Sequence, residues 1–210
     1  MLADHLNPTP PTGPAGPMPK WARWISGAAM LLVLGGCQQI PLAPIEPPSA
    51  QRQQLVVFDI DGTLTPRNLD VFEARPGAAQ AARALAGKGY AIVYLTTRTP
   101  LFQGMLPGWL REHGFAPGTL HVAQTADERA DPARFKAGLL AAYVRQGWRL
   151  AWAYGDSPTD FEAYAQAGVP KERVYALKRR GDDQCQPGAW QACLDGWEPH
   201  LATIDALPAP

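Results

Sequence analysis

Apolar runs that end in acidic or hydroxyl residues recur along most of the chain. The first run is Leu55–Phe58, which Asp59 follows, and the second is Ala91–Leu95, which Thr96 follows. An uninterrupted apolar run is typical of a strand that is covered on both faces. Helix-period segments separate the runs, so the sequence predicts an α/β fold with a doubly wound parallel sheet of about five strands.

The predicted elements alternate along the chain. Strands are expected at 54–58, 91–95, 120–122, 150–154 and 173–177, and helices at about 76–88, 100–113, 133–146 and 159–167. In such sheets ligands bind beyond the carboxyl ends of the strands. Residues at those ends are therefore the candidates for function.

Acidic and hydroxyl residues occupy several of these strand ends: Asp59, Asp61, Thr96, Asp156 and Asp160. Carboxylates there are costly unless they hold a cation or do chemistry. A hard divalent ion such as Mg²⁺, which takes oxygen ligands, relieves their mutual repulsion. The sequence therefore predicts a metal-assisted phosphoryl-transfer site.

Two segments resemble motifs of the haloacid dehalogenase (HAD) superfamily of phosphohydrolases. Asp59-Ile60-Asp61-Gly62-Thr63-Leu64-Thr65 resembles the first motif, and Gly155-Asp156-Ser157-Pro158-Thr159-Asp160 resembles the fourth. The resemblance covers about residues 54–178 and implies a Rossmann-like, HAD-like phosphatase domain. Scaffold elements use most of 62–95 and 97–135, where the family inserts its cap, so little or no cap domain and an open site are expected.

The resemblance also implies a role for each matching residue. Asp59 is expected to be the nucleophile that forms an aspartyl-phosphate, and Asp61 the general acid and base, whose backbone carbonyl helps to hold Mg²⁺. Thr96 is expected to bind the phosphoryl oxygens, with Thr97 as an alternative one residue away.

The remaining roles concern charge. Lys136 is expected to offset the negative charge of nucleophile and phosphate, Asp156 to ligate Mg²⁺, and Asp160 to ligate or orient the ion. A surface position is the alternative for Lys136. The predicted metal set is Asp59, Asp61, Asp156 and Asp160.

Within the superfamily, the spacing and the run Tyr94-Leu95-Thr96-Thr97-Arg98 resemble the lipin-type (LNS2) phosphatidate phosphatases. This implies a Mg²⁺-dependent phosphomonoester hydrolase that acts on phosphatidate or on another large or membrane-held phosphomonoester. Two alternatives stay open: a periplasmic acid phosphatase of broad specificity for soluble esters, and a non-catalytic lipid-sensing lipoprotein. Arg98 itself is interpreted as a structural or phosphate-rim residue.

The N-terminal region reads as a targeting segment. Lys20 and Arg23 precede an apolar run at 25–34, and Leu34-Gly35-Gly36-Cys37 resembles the lipoprotein box in which the cysteine is lipidated. Residues 1–36 are thus predicted to be an extension and signal peptide, with Met18 as an alternative start, and 37–53 a tether. Gln38 favours the periplasmic face of a bacterial outer membrane. An uncleaved anchor with an incidental cysteine is the alternative.

Cysteines and charge complete the expectations for the domain at 54–210. An oxidising compartment favours a disulfide between Cys185 and Cys193 in the C-terminal tail, the alternatives being free thiols or a metal pair. Lys plus Arg and Asp plus Glu number 19 each, for a net charge of +0. No basic field exists to gather nucleic acid, so none is expected as a partner.

Overall fold

A computed structural model describes residues 39–68 and 70–210, and the predicted parallel α/β fold is confirmed in them. The sheet there has six parallel strands in the order β3-β2-β1-β4-β5-β6. The strands are β1 Gln54–Asp59, β2 Ala91–Thr96, β3 Thr119–Val122, β4 Arg149–Gly155, β5 Val174–Leu177 and β6 Ala192–Leu194.

Helices cover both faces of this sheet. They are α1 Ala78–Gly87, α2 Pro100–Gln103, α3 Leu106–Glu112, α4 Ala126–Ala130, α5 Pro132–Arg145, α6 Pro158–Gln166 and α7 Leu201–Ala206, with 3-10 turns at Lys171–Arg173 and Glu198–His200. α1, α3 and α7 pack on one face, whereas α5 and α6 pack on the other. Both faces are therefore buried, as the apolar runs predict.

The central strand β1 is held by aromatic packing. Phe58 lies beside Tyr94 of β2 and Tyr154 of β4 in the sheet register. Its ring stacks on that of Tyr154 with centroids 5.2 Å apart, and the fully buried Trp197 covers both rings. This packing fixes the end of β1, where Asp59 and Asp61 follow.

Two predicted elements differ from the structure. The single helix expected at 100–113 is wrong, because the segment forms α2 and α3 with a break at Gly104–Met105. Pro107 lies in the first turn of α3, where its missing N–H is tolerated, but it would interrupt a continuous helix. The sixth strand, β6, was not expected because it has only three residues.

Residues 39–53, the described part of the predicted tether, pack against the domain instead of extending from it. We call this segment the strap. Ile40 packs with the core on one face of the sheet and Ile45 with the core on the other, so the strap wraps around the edge strand β3. Further along the strap, the backbone oxygen of Glu46 accepts a hydrogen bond from Trp148 Nε1 at 2.8 Å. Partly buried apolar side chains therefore hold a Pro-rich segment over a sheet edge.

The connections between strands are short on the site side of the sheet. Residues 60–68 and 70–77 form a loop without helix or strand, and between β2 and β3 the chain forms only α2 and α3. This agrees with the expected lack of a cap domain. In the part of the chain that the structure describes, no helix has the length and apolarity needed to cross a membrane.

Candidate active site

The strand ends bring the predicted residues to one edge of the sheet, which we call the catalytic edge. β1 ends at Asp59, β2 at Thr96 and β4 at Gly155, directly before Asp156. These three strands are neighbours in the sheet, and all run in the same direction. Asp160 and Lys136 reach this edge from α6 and α5.

Lys136 lies between two carboxylates. Its Nζ donates a hydrogen bond to Asp59 Oδ1 at 2.6 Å and a second, short one to Asp160 Oδ1. All three residues are buried. Lys136 is therefore not the surface lysine that the sequence left as an alternative.

The electrostatics of this cluster follow from burial. Burial raises the pKa of Asp59 well above its ordinary value, and the charge on Asp160 adds to the effect while Lys136 opposes it. For Lys136, burial lowers the pKa, but the carboxylates of Asp160 and Asp59 outweigh it and raise the pKa above the usual range. Lys136 thus stays charged. One positive charge does not neutralise the two carboxylates of Asp59 and Asp160, so a second cation would stabilise the cluster.

Asp156 and Arg179 form the next part of the site. Asp156 Oδ2 accepts a short hydrogen bond from Nε of Arg179, which follows β5. Burial raises the pKa of Asp156 to about 6, and Asp160 adds to this shift while Arg179 opposes it. From the sequence, the basic run 178–180 just past a strand end was interpreted as a solvated edge, with contact to anionic head groups as the alternative, and no role in the acidic site was predicted for Arg179.

Two glycines let these loops approach each other. Gly62 has φ +83°, and a Cβ there would lie 2.0 Å from Asp156 Oδ2. At Gly155 a Cβ would lie 2.6 Å from the Cβ of Asp160. Glycine is therefore required at both positions for the carboxylates to converge.

A divalent cation fits the inner cluster. One oxygen each of Asp59, Asp156 and Asp160 lie within 4.8 Å of one another, and all three residues are buried. Asp59 Oδ2 is buried and has no hydrogen-bond partner among the described residues. An all-oxygen set of this charge suits Mg²⁺, which could take the free oxygen of Asp59 as a ligand.

Asp160 already has partners for both carboxylate oxygens. Lys136 occupies Oδ1, whereas Oδ2 accepts from the backbone N–H groups of Asp156 at 3.2 Å and Ser157 at 3.1 Å, and from Ser157 Oγ at 2.7 Å. Ser157 is also the N-cap of α6. Of the two roles predicted for Asp160, the geometry favours orienting the loop over ligating the ion.

Asp61 lies in a separate, outer group. Its Oδ2 accepts a short hydrogen bond from Thr96 Oγ1, and its Oδ1 accepts from Arg98 Nε at 2.9 Å and from a terminal nitrogen of Arg98 at 2.6 Å. The backbone N–H of Arg98 donates to Thr96 Oγ1 at 3.0 Å. Thr96, rather than its neighbour Thr97, therefore contacts the predicted acid, and the Asp61 carboxylate pairs with Thr96 and Arg98 rather than with Lys136.

The two cysteine predictions have different outcomes. Cys185 and Cys193 form a disulfide, with Cα atoms 5.7 Å apart, which ties the segment after β5 to β6. Within the loop that it closes, a Cβ on Gly188 would lie 2.2 Å from the ring of Phe161, so this loop packs against Phe161, the residue after Asp160. Cys37 lies outside the described residues.

Sequence and structure comparisons agree with this geometry. The family model for the LNS2 domain of PITM 1-3 matches residues 56–178. The chain belongs to this LNS2 family. Its LNS2 segment contains both acidic motifs and Lys136.

The LNS2 relatives are much longer proteins. The chain is 30% identical over 165 residues to human membrane-associated phosphatidylinositol transfer protein 1, and 28% identical over 161 residues to human membrane-associated phosphatidylinositol transfer protein 3. These matches cover 75% and 73% of this chain but only 12% and 16% of the relatives. The chain therefore corresponds to a small part of each relative.

A solved structure shows the same fold. A HAD-like phosphatase from Mesorhizobium loti superposes with a TM-score of 0.56 at 18% identity, over 82% of this chain and 94% of that one. The family match confirms the predicted LNS2 relationship, and the superposition confirms the predicted HAD-like α/β fold.

Proposed function

We propose that this protein is a Mg²⁺-dependent phosphomonoester hydrolase that works through an aspartyl-phosphate on Asp59. The observation that carries the proposal is the contrast between the two aspartates of the first motif. Asp59 is buried against Lys136, whereas Asp61 is held by Thr96 and Arg98 at a more open position. This contrast supports the role of nucleophile for Asp59 and that of proton carrier for Asp61.

In the first half of the reaction, the ionised carboxylate of Asp59 attacks phosphorus and the ester P–O bond breaks. Protonated Asp61 gives its proton to the leaving oxygen, so an alcohol departs. Lys136 stays charged and offsets the negative charge that builds up beside Asp59. Thr96 Oγ1 orients Asp61 and, from the end of β2, would bind a phosphoryl oxygen of the substrate.

In the second half, water attacks the phosphorus of the aspartyl-phosphate. Asp61, now ionised, takes a proton from that water, and the bond between phosphorus and Asp59 breaks to release inorganic phosphate. Arg98 holds Asp61 through two nitrogens, which fixes the carboxylate for both steps. At the end of the cycle Asp59 is again a free carboxylate and Asp61 again carries a proton.

Mg²⁺ would be held by Asp59 and Asp156, with Asp160 orienting the loop, and would supply charge neutralisation for the nucleophile and the phosphoryl oxygens. The unpaired oxygen of Asp59 and the burial that raises the pKa of Asp156 both support this assignment, because a cation would stabilise the charged form of each carboxylate.

The substrate class follows from the openness of the site and from the relatives. No cap domain is inserted between the strands of the described sheet, so a large or membrane-held phosphomonoester can reach Asp59. The relatives carry names of membrane-associated phosphatidylinositol transfer proteins. We therefore propose phosphatidate or a similar phospholipid, met at the bacterial envelope where Cys37 carries a lipid anchor facing the periplasm.

The test is phosphate release by the full chain from phosphatidate in mixed micelles and from p-nitrophenyl phosphate, with Mg²⁺ and with a chelator. We expect Mg²⁺-dependent release that Asp59→Asn abolishes and that the matched change Asp205→Asn, at an exposed position of α7, leaves intact. Preference for phosphatidate would support the lipid substrate.

Other outcomes would favour the alternatives. Equal or faster turnover of the soluble ester would make the protein a phosphatase of broad specificity. Binding of phosphatidate without turnover of either ester would make it a lipid sensor. Unchanged activity in Asp59→Asn would overturn the assignment of the nucleophile.

A further inference from the structure

The strap begins at the catalytic edge. Gln39 Nε2 donates to the backbone oxygen of Gln124 at 2.6 Å, and Gln124 Nε2 donates to the backbone oxygen of Ile40 at 3.0 Å. We call this pair of contacts the strap clamp. Gln124 lies two residues beyond Val122, the carboxyl end of β3. Since all strands are parallel, the strap clamp lies at the same edge of the sheet as the site.

Hydrogen bonds connect the strap clamp to the site itself. Gln103 of α2 is fully buried, and its Nε2 donates to the backbone oxygens of Arg98 at 2.8 Å and Ala123 at 2.9 Å. Ala123 is the neighbour of Gln124, and Arg98 holds the carboxylate of Asp61. The strap clamp is therefore linked to Asp61, the proposed acid and base, through Ala123, Gln103 and Arg98.

Two exposed apolar side chains lie in the segments that follow β1 and β2 at the catalytic edge. Large apolar residues that are exposed in the described chain include Phe72 at 68%, Leu101 at 59% and Val144 at 45%. Leu101 lies in α2, two residues before Gln103. Phe72, in the loop after β1, lines one recess together with Gly104 and Met105 of the segment that follows α2. Val144 lies at the other end of the fold, in the last turn of α5 before β4.

The sequence before the strap indicates what covers this surface. Cys37 and the apolar run 25–34 precede Gln39, and the two peptide links between Cys37 and Gln39 span at most about 7 Å. A lipid on Cys37, or an uncleaved apolar anchor, would both hold the strap clamp close to a bilayer. A protein partner would not need either of these features.

We propose that the catalytic edge, with Leu101 and Phe72 beside the strap clamp, is the surface that this protein lays against a phospholipid bilayer. The inference rests on the proposed function and adds to it the orientation of the site. The strap, packed on both sheet faces through Ile40 and Ile45, acts as a short fixed link and not as a flexible tether. Phosphoester head groups in the adjacent leaflet then face Asp59, and a site without a cap domain lets them approach.

The test compares Leu101→Asp with the matched change Val144→Asp in the full chain, inserted into phosphatidylcholine vesicles that contain phosphatidate. The measured quantity is the ratio of phosphatidate hydrolysis to p-nitrophenyl phosphate hydrolysis in the same sample. Burial of one leucine side chain corresponds to roughly tenfold in an equilibrium, so we expect Leu101→Asp to lower the ratio about tenfold. Val144→Asp should leave the ratio unchanged. Leu101→Ser, which adds no charge, should lower it in the same direction.

Hydrogen exchange gives a readout that does not need turnover. Exchange in the vesicle-bound full chain would be compared with exchange in the same protein in detergent, without phosphatidate. The amides of 70–77 and 99–105 should exchange more slowly on vesicles, whereas the exchange of the amides of 143–148 should not change. This measurement separates the two proposals, because protection without any phosphate release would overturn the proposed function and leave the docking surface intact.

Three results would overturn the docking surface. The first is an unchanged hydrolysis ratio in Leu101→Asp, and the second is equal protection of 99–105 and 143–148. The third is a dimer that Leu101→Asp converts to a monomer while the ratio stays unchanged, since the surface would then bind a second copy of the chain.

Discussion

Asp59 and Asp61 are two residues apart at the end of one strand, yet they have opposite surroundings. Asp59 is 3% exposed, contacts Lys136 and has a raised pKa from burial. The side chain of Asp61 is 18% exposed and pairs with Arg98 and Thr96. In a continuing strand these two side chains would share a face, but β1 ends at Asp59 and the chain turns at 61–64. The turn gives two identical residues different surroundings, and so different chemistry.

The largest expected effect separates these two aspartates by activity. Asp59→Asn should abolish turnover because no nucleophile remains, whereas Asp61→Asn should lower the rate of phosphate release by about 10²–10⁴-fold because proton transfer is lost. Steady-state phosphate release from p-nitrophenyl phosphate measures both. Equal residual rates in the two variants would break the proposed division of roles.

The second prediction separates their two cationic partners by stability. Lys136→Met leaves buried carboxylates without their cation and should lower the free energy of unfolding by about 3–5 kcal/mol. Arg98→Met should cost about 1 kcal/mol, because water can reach Asp61 in its place.

Urea unfolding with a chelator present measures both changes. Lys171→Met, at an exposed residue, is the matched control for loss of a lysine charge and should be near neutral. A smaller loss in Lys136→Met than in Arg98→Met would contradict the account of the inner cluster.

The third prediction concerns metal and pH. The folded-state pKa of Asp156 is raised to about 6 from 3.8, so the metal-free protein loses stability as pH rises from about 4 to 6, by about 3 kcal/mol for this group. A bound cation removes that penalty, so stabilisation by Mg²⁺ should grow over the same window and then level off.

Thermal unfolding with and without Mg²⁺ at several pH values checks this. Asp156→Asn should abolish most of the Mg²⁺ effect, whereas Asp61→Asn, which keeps its backbone carbonyl, should retain it. Loss of the Mg²⁺ effect in Asp61→Asn alone would place the ion in the outer group and contradict the assignment.

The smallest expected effect concerns the helix caps. Ser157 and Thr125 are both N-caps with a capping box, so Ser157→Ala and Thr125→Ala should each cost about 1 kcal/mol of stability. Only Ser157 also bonds Asp160 at the site, so only Ser157→Ala should weaken Mg²⁺ binding, which calorimetric titration measures. An equal loss of Mg²⁺ affinity in Thr125→Ala would mean that lower stability, and not the contact between Ser157 and Asp160, weakens Mg²⁺ binding.

Much of this site could be predicted from the sequence, because apolar strands followed by acids have a strong local pattern. The positions of Asp59, Thr96 and Asp156 at adjacent strand ends follow from parallel connectivity. Glycine at 62 is a local requirement as well, since its positive φ and its contact with Asp156 exclude a side chain.

Other features depend on contacts distant in the sequence, and no local pattern shows them. Arg179 reaches Asp156 only because β5 lies next to β4. The strap binds Gln124 across 85 residues of chain, and its prolines favoured the interpretation of a free tether. β6 is too short for its apolar residues to form a pattern, and its pairing depends on β5.

The most direct test of the central claim is to look for the phosphoryl group on Asp59. The Asp61→Asn variant would be mixed with p-nitrophenyl phosphate and Mg²⁺, quenched in acid after a short time and digested for mass spectrometry. The account predicts one added phosphoryl group on the peptide that contains Asp59. Attack by Asp59 persists because p-nitrophenolate leaves without a proton from Asp61, whereas hydrolysis of the aspartyl-phosphate is slowed because no base activates the water. Phosphate release by wild-type protein with no phosphoryl group on Asp59 in this variant would contradict it.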